Sequence, residues 1–299
     1  MRKYTDAELA AHIPLPAADA HKYSRGSLLI VAGSRRFSGA ALLSTLAATR
    51  AGAGYVTLAT VPPVAAAART LAPTVPLIEI PENSLGELDL SSENSELLHD
   101  AAAKHDAMLL GPGLGRSAYV SGLVRQLLRD STTPAVLDAD ALYAFSAEGT
   151  GNPDDIPTDY PVILTPHARE RRRLIPDDRH SAAPLVAGQR VLVAKGPTTY
   201  IESADDTVYD DLGPSALATA GSGDVLAGII AALLAQKTPA PVAAALGVRL
   251  QALAALEATA RLTPVCMNAH DLIDAIPTAV RQLLDLREPN TQDTQHGGV

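Results

Sequence analysis

Short, mostly apolar runs recur along the chain at positions 27–32, 55–60, 76–80, 107–110, 135–137, 162–165 and 191–194. Each is closed by glycine, proline or a polar residue, and longer segments of good helix formers lie between them, at 40–50, 63–71, 95–104, 117–129 and 142–147. Near-continuous apolarity over a strand's length suits strands buried on both faces, the condition of parallel strands covered by helices. Their alternation with helices predicts an α/β fold with a mostly parallel central sheet. Residues 198–203 and 207–209, separated by a turn-rich Ala-Asp-Asp, read instead as a β-hairpin. Residues 5–12 read as a short helix opened by Thr5 and Glu8 in capping-box spacing and ended by Pro14 and Pro16. A long Ala/Leu-rich helix at 241–261 and two shorter ones, 270–276 and 278–286, close the sequence. No repeat and no shift in composition divides the chain. Residues 1–287 are therefore expected to form one domain, and the polar residues 288–299 a disordered tail.

In an open parallel sheet, ligands sit at the carboxyl ends of the strands. The conspicuous glycine and polar stretches fall at those ends: G-S-R-R-F-S-G-A at 33–40, G-P-G-L-G-R at 111–116, D-A-D-A-L at 138–142, T-P-H-A-R-E at 165–170 and K-G-P-T-T at 195–199. Residues scattered over the sequence thereby converge on one cleft. The stretch 217–236, L-A-T-A-G-S-G-D-V-L-A-G-I-I-A-A-L-L-A-Q, adds a loop feeding a helix. Gly221 and Gly223 permit a tight turn and close approach to a ligand, and the first N–H groups of the helix point at whatever sits in the loop. The natural guest is an anion, most often phosphate. Asp224 gains from the helix dipole but would repel a phosphate placed beside it. It makes more sense facing a hydroxyl that must lose a proton as it attacks phosphorus. The plainer alternative for Asp224 is a helix cap.

Other polar residues carry similar pairs of readings. Lys195 is either solvated or a cation suited to a nucleotide phosphate. Asp138 and Asp140 either orient a ligand or Mg²⁺ through water, or cap the next helix. His167 is either functional or a capping, exposed histidine, and the run from Arg169 to Arg173 is a solvated helix face. Two familiar loops are excluded. Gly33 to Gly39 has no following Lys-Ser/Thr and is no Walker A loop, and Gly111, Gly113 and Gly115 are spaced G-x-G-x-G, not as a dinucleotide fingerprint.

The formal charge of −9, with two Phe, no Trp and eight Tyr, argues against a nucleic-acid surface built on basic charge and stacking. One cysteine, Cys266, excludes an intramolecular disulfide framework and a Cys-rich zinc site, and reads as a small buried apolar residue. The first residues have no signal-peptide character and no stretch approaches the apolar length of a membrane span, so the reading is a soluble, cytoplasmic protein.

Taken in this order, the motifs resemble the ADP- or ATP-dependent NAD(P)H-hydrate dehydratases of the ribokinase-like superfamily. The resemblance rests on H-K at 21–22, V-A-G-S-R-R-F-S-G-A at 31–40, R-A-G-A-G at 50–54, G-P-G-L-G-R at 111–116, L-D-A-D-A-L at 137–142, L-T-P-H at 164–167, K-G-P-T-T at 195–199 and L-A-T-A-G-S-G-D-V-L-A-G-I-I-A at 217–231. It implies a ribokinase-like three-layer α/β/α fold and an enzyme that repairs hydrated NADH and NADPH. The hydrate's 6-hydroxyl is activated as a phosphate ester at the expense of ADP or ATP, with Mg²⁺, and phosphate then leaves. On this resemblance Asp224 takes the hydroxyl proton, and the N–H groups of Gly221, Ser222 and Gly223 hold the developing charge. Lys195, Gly196, Pro197, Thr198 and Thr199, with Gly223, bind the AMP portion of the nucleotide. Ala40, Gly113, His167 and Asp224 contact the hydrated dinucleotide. No residue is assigned as a direct metal ligand. A homotetramer is implied, as are a preference for ADP and a separate epimerase partner, because the epimerase domain fused to some relatives is not present in the sequence. The chain departs from the family pattern at Tyr23, Tyr143 and Ala168-Arg169, and in having G-P-S-A-L-A-T before the phosphate loop. Two alternatives from other classes are a ribokinase-like kinase acting on a small alcohol or vitamin precursor, and a nucleotide-binding regulator without catalysis.

Overall fold

A computed structural model describes residues 1–89, 91–175 and 183–287, so the expected tail at 288–299 lies outside the described residues. Seven parallel strands form most of one sheet: β1 (Ser27–Val31), β2 (Tyr55–Thr60), β3 (Leu77–Glu79), β4 (Ala107–Leu110), β5 (Ala135–Leu137), β6 (Val162–Leu164) and β7 (Arg190–Ala194). The hairpin of β8 (Thr199–Glu202) and β9 (Thr207–Asp210) continues the sheet antiparallel from β7. The order is β3-β2-β1-β4-β5-β6-β7-β8-β9. Every residue of β1, β4, β5, β6 and β7 is buried, as continuous apolar runs require of central parallel strands.

The helices are α1 (Asp6–Ala11), α2 (Ser38–Arg50), α3 (Pro62–Leu71), α4 (Ser92–Ala103), α5 (Ala118–Arg129), α6 (Asp140–Tyr143), α7 (Ala168–Leu174), α8 (Ala183–Val186), α9 (Ser222–Ala235), α10 (Ala240–Leu262) and α11 (Ala269–Leu284). From β1 the chain steps outward through β2 to β3, then jumps back to β4 and steps the other way to β7. Helix α2 packs against α3, and α4 to α7 pack in succession against one another. Helix α9 packs on β1, β4 and β5 beside α2, and α10 and α11 pack against it. The result is the three-layer α/β/α arrangement, with a single hydrophobic cluster running from Leu9 to Leu283. The direction of travel reverses between β1 and β4, and a crevice opens at such a switch point.

Three expectations are corrected. Residues 269–284 form one helix that runs through Pro277 instead of breaking there, held at its start by an Asn268–Asp271 capping box. Cys266 is exposed, because it falls in the surface turn after α10 next to Val265, which is 92% exposed. Helix α10 has the length and apolarity of a membrane span, and 72% of that window is buried inside the fold. Its polar residues explain that placement. Buried Arg249 donates from Nε to Asp210 Oδ2 of β9 (2.6 Å) and from Nη1 to Asp6 of α1, so one guanidinium ties three elements together. Removing one member of a buried pair strands its partner's charge. Arg249→Met is expected to cost about 3 kcal/mol, read as a lowered urea midpoint with an unchanged slope.

Candidate active site

The loops after β1 and β4 are stitched together across the switch point. Gly33 N–H donates to Pro112 O (2.8 Å), and Ser34 Oγ donates to Gly113 O (2.7 Å). Gly113 has φ +64° and sits so close to Phe37 and Ala40 that a Cβ there would lie 2.8 Å from Phe37 Cβ and 3.0 Å from Ala40 Cβ. Ala40 and Gly113 therefore meet, although 73 positions separate them. Gly221 begins α9 in the left-handed region (φ +87°), and a Cβ on it would lie 2.5 Å from Leu43 Cδ1 of α2, one turn beyond Ala40.

The glycine loop before α9 is braced from three sides. Ser222 Oγ donates within the loop to Leu217 O (2.8 Å) and Thr219 O (3.0 Å), and buried Gln251 of α10 donates to Ser222 O (2.6 Å). Ser222 N–H reaches Thr219 O at 3.4 Å, and the first bond of the helix is Val225 N–H to Gly221 O. Among the described residues, the N–H groups of Gly221, Gly223 and Asp224 meet no protein acceptor. Unsatisfied donors at a helix start form an anion site. The serine hydroxyl is spent on the loop, so this site offers backbone, not side chain, to a guest.

Asp224 is the third residue of α9. It makes no capping bond, since Gly221 occupies the cap position without a side-chain acceptor, and the plain cap reading is set aside. Burial pushes its pKa up to about 7, reinforced by the charge of Asp138, countered by Lys195, and raised further by Asp140 and Glu170. A carboxyl group poised there can exchange a proton near neutral pH.

Lys195 follows β7, and its N–H donates to Pro166 O (3.0 Å), which sets it beside His167. Its ammonium donates to Asp138 Oδ1 at 2.9 Å, and Thr165 Oγ1 donates to the same oxygen at 2.6 Å. Burial alone would lower the Lys195 pKa, but the charges of Asp138 and Glu170, the bond to Asp138 and the charge of Asp224 hold it above the ordinary value. A Cβ on Gly223 would lie 3.4 Å from Lys195 Nζ, so the ammonium stands directly at the anion loop. Asp140 is also committed, accepting from Gly115 N–H (2.9 Å) and Arg116 Nε (2.7 Å). Neither aspartate caps α6, whose cap residue is Ala139. Among the described residues no group of three His, Cys, Asp or Glu side chains is placed to hold a metal ion. His167 is both cap and exposed: its Nδ1 accepts from Arg169 N–H (3.0 Å) and Glu170 N–H (3.2 Å), which leaves the proton on Nε2.

A cleft of about 700 Å³ opens between the β8–β9 hairpin, the loop before α9 and α10. Lys195, Gly196, Pro197, Thr199, Ser222 and Gly223 line it, with His167 at its edge. Thr198, Gly221 and Asp224 adjoin the lining in sequence, whereas Ala40 and Gly113 lie outside it, at the switch point. The candidate residues thus form two groups, and the start of α9, which borders the cleft, packs on Leu43, one turn beyond Ala40. Gln251, Thr165 and the Asp138–Lys195 pair were not singled out by sequence reasoning, and no local pattern announces them.

The NAD(P)H-hydrate dehydratase family profile matches residues 28–278. The bifunctional NAD(P)H-hydrate repair enzyme of Salinibacter ruber is 40% identical over 93% of this chain and 52% of its own length. The chain spans about half the length of the bifunctional relatives it matches. The ADP-dependent (S)-NAD(P)H-hydrate dehydratase of Xanthomonas campestris is 33% identical over 95% of the chain and 97% of its own length. The crystal structure of the ADP/ATP-dependent NAD(P)H-hydrate dehydratase of Bacillus subtilis, co-crystallised with ATP and Mg²⁺, superposes with a TM-score of 0.77 at 27% identity, covering 94% of this chain and 98% of that one. With its ribokinase-like fold, the chain belongs to the NAD(P)H-hydrate dehydratase family.

Proposed function

We propose that the chain is an ADP-dependent (S)-NAD(P)H-hydrate dehydratase, which returns hydrated NADH and NADPH to their reduced forms with release of AMP and phosphate. The observation that carries this reading is that, among the described residues, the Asp224 carboxyl group has no hydrogen-bond or ion-pair partner and three N–H groups at the start of α9 stay open, next to the 700 Å³ cleft. ADP enters the cleft, with Lys195 to Thr199 and Gly223 around its AMP portion. The dinucleotide enters past Ala40 and Gly113, with His167 Nε2–H as a donor to it. Asp224 takes the proton from the hydrate's 6-hydroxyl while that oxygen bonds to the terminal phosphorus and the bond to AMP breaks. The open N–H groups of the loop, with Lys195 beside them, hold the charge that develops on the phosphoryl oxygens. Hydroxide is a poor leaving group and phosphate a good one, so the ester then loses phosphate from C6 and a proton from C5 to solvent, and the ring's 5,6 double bond returns. Mg²⁺, on this reading, arrives with the nucleotide phosphates and neutralises their charge. The homotetramer and the epimerase partner implied by the family resemblance, and the cytoplasmic setting, belong to the same proposal.

The test incubates the purified chain with Mg²⁺, ADP or ATP, and both epimers of hydrated NADH, following reduced-nicotinamide absorbance and nucleotide products. Recovery of part of the hydrate with AMP and phosphate from ADP supports the proposal. A stable phosphate ester on a small alcohol, with no hydrate recovered, replaces it with the kinase alternative.

The pH profile gives a second check. Asp224 works as a base only when ionised, and its folded pKa lies at about 7. The rate constant kcat/KM is expected to fall about tenfold per pH unit below pH 7 and to level off above it. A profile flat from pH 5 to 8 contradicts the assignment.

A further inference from the structure

We propose that Asp138 is a positioning residue for Asp224: by holding the Lys195 ammonium on its own Oδ1, it keeps that cation from closing onto the Asp224 carboxylate and leaves the base unpaired. Four carboxylates face one another here, from the end of β5 (Asp138), from α6 (Asp140), from α7 (Glu170) and from α9 (Asp224). Three are engaged. Asp140 is bound by Gly115 N–H and Arg116, and Glu170 by His167 N–H at 2.9 Å with His167 Nε2 at 3.4 Å. Asp138 is bound by Lys195 at 2.9 Å and Thr165 at 2.6 Å. Among the described residues Asp224 has neither a side-chain hydrogen bond nor an ion pair.

Lys195 is paired with Asp138, and its charge also acts on Asp224. Its Nζ stands 3.4 Å from where a Cβ on Gly223 would be, one residue from Asp224, and a lysine stem is flexible enough to cover the remaining distance. The side chain of Asp138 is 3% exposed and is anchored by the Thr165 hydroxyl, so its carboxylate is a fixed competitor for the ammonium. If Lys195 moved to Asp224, the ion pair would lower the basicity that proton removal needs. On this account Asp138 acts on the base through the lysine.

The inference rests on the proposed role of Asp224, but its test needs no turnover. The full chain is labelled with ¹³C-aspartate, and the Asp224 carboxyl resonance is identified by its loss in Asp224→Asn and followed against pH. Asp138→Asn is expected to lower its midpoint by about one pH unit or more, and Lys195→Met to raise it. In the Lys195→Met background, where no ammonium can be released, the effect of Asp138→Asn is expected to shrink to less than half. Equal shifts in both backgrounds would mean that Asp138 acts by its own charge alone and would overturn the proposal, as would an unmoved midpoint in Lys195→Met. Asp138→Ser, which keeps a hydroxyl for Thr165, completes the cycle if the asparagine variant does not fold. Should the parent lack dehydratase activity, the titration still decides the pairing, so the two readings fail separately.

Discussion

Asp224→Asn is expected to lower turnover by on the order of 10² or more, the usual loss for a positioned base, with the fold retained. The substitution keeps the shape and removes only the ability to take a proton. Nucleotide affinity should change little, because the open N–H groups at Gly221, Gly223 and Asp224 belong to the backbone. The same change should raise stability at alkaline pH. Burial beside Asp138, Asp140 and Glu170 raises the folded pKa of Asp224 to about 7, above its ordinary value of 3.8. Below pH 3.8 the group is protonated in both folded and unfolded chains, and it costs nothing. As pH rises from there to 7, the unfolded chain ionises first and the native state loses stability relative to it, until both are ionised. The asparagine variant should therefore melt higher than the parent at pH 8, with the gap closing towards pH 4. Near-parental turnover in the variant would remove Asp224 from the mechanism, and a gap that did not vary with pH would contradict the raised pKa.

The parallel strands were legible because a strand covered on both faces has no polar side to show, so β4 and β6 appear as unbroken apolar runs. Their order was not. Nothing in an apolar run names its neighbour, and the insertion of β1 between β2 and β4, which creates the switch point, is a property of the assembled sheet. The polar motifs were legible as a group because they share the carboxyl edge of the sheet. Their internal wiring was hidden, since Lys195 meets Asp138 across 57 positions and Gln251 reaches Ser222 across 29. Composition alone is a poor guide to placement. Cys266, apolar by type, is exposed in a turn, and α10, apolar enough for a membrane, is a core helix pinned by Arg249.

Gly111→Ala is expected to be the most damaging single methyl group that can be added near the site, costing on the order of 5 kcal/mol or more and lowering Tm by 10 °C or more. Two causes act together. Gly111 leaves β4 at φ +124°, a backbone conformation that alanine resists. Its added Cβ would also fall on the carbonyl oxygen of Asp138, with Ala141 Cβ at 2.8 Å and Ala141 N at 2.9 Å, so backbone itself would have to yield. Relaxation is blocked on both sides. Gly111 N–H is bonded to Val31 O of β1 and Asp138 N–H to Leu110 O, which holds the two crossing segments at the ends of adjacent strands. Any shift that relieves the clash moves Asp138, and with it Lys195. Gly122→Ala is the control. That glycine lies inside α5 with nothing within 4 Å of the new Cβ, and alanine there should stabilise by about 0.5–1 kcal/mol through its better helix propensity. Opposite signs for the two variants in thermal melts would tie the cost to the crossing at Asp138. A mild effect at Gly111 would mean that β4 and the Asp138 segment are not packed as described, and would withdraw the fixed Asp138 carboxylate on which the Lys195 pairing depends.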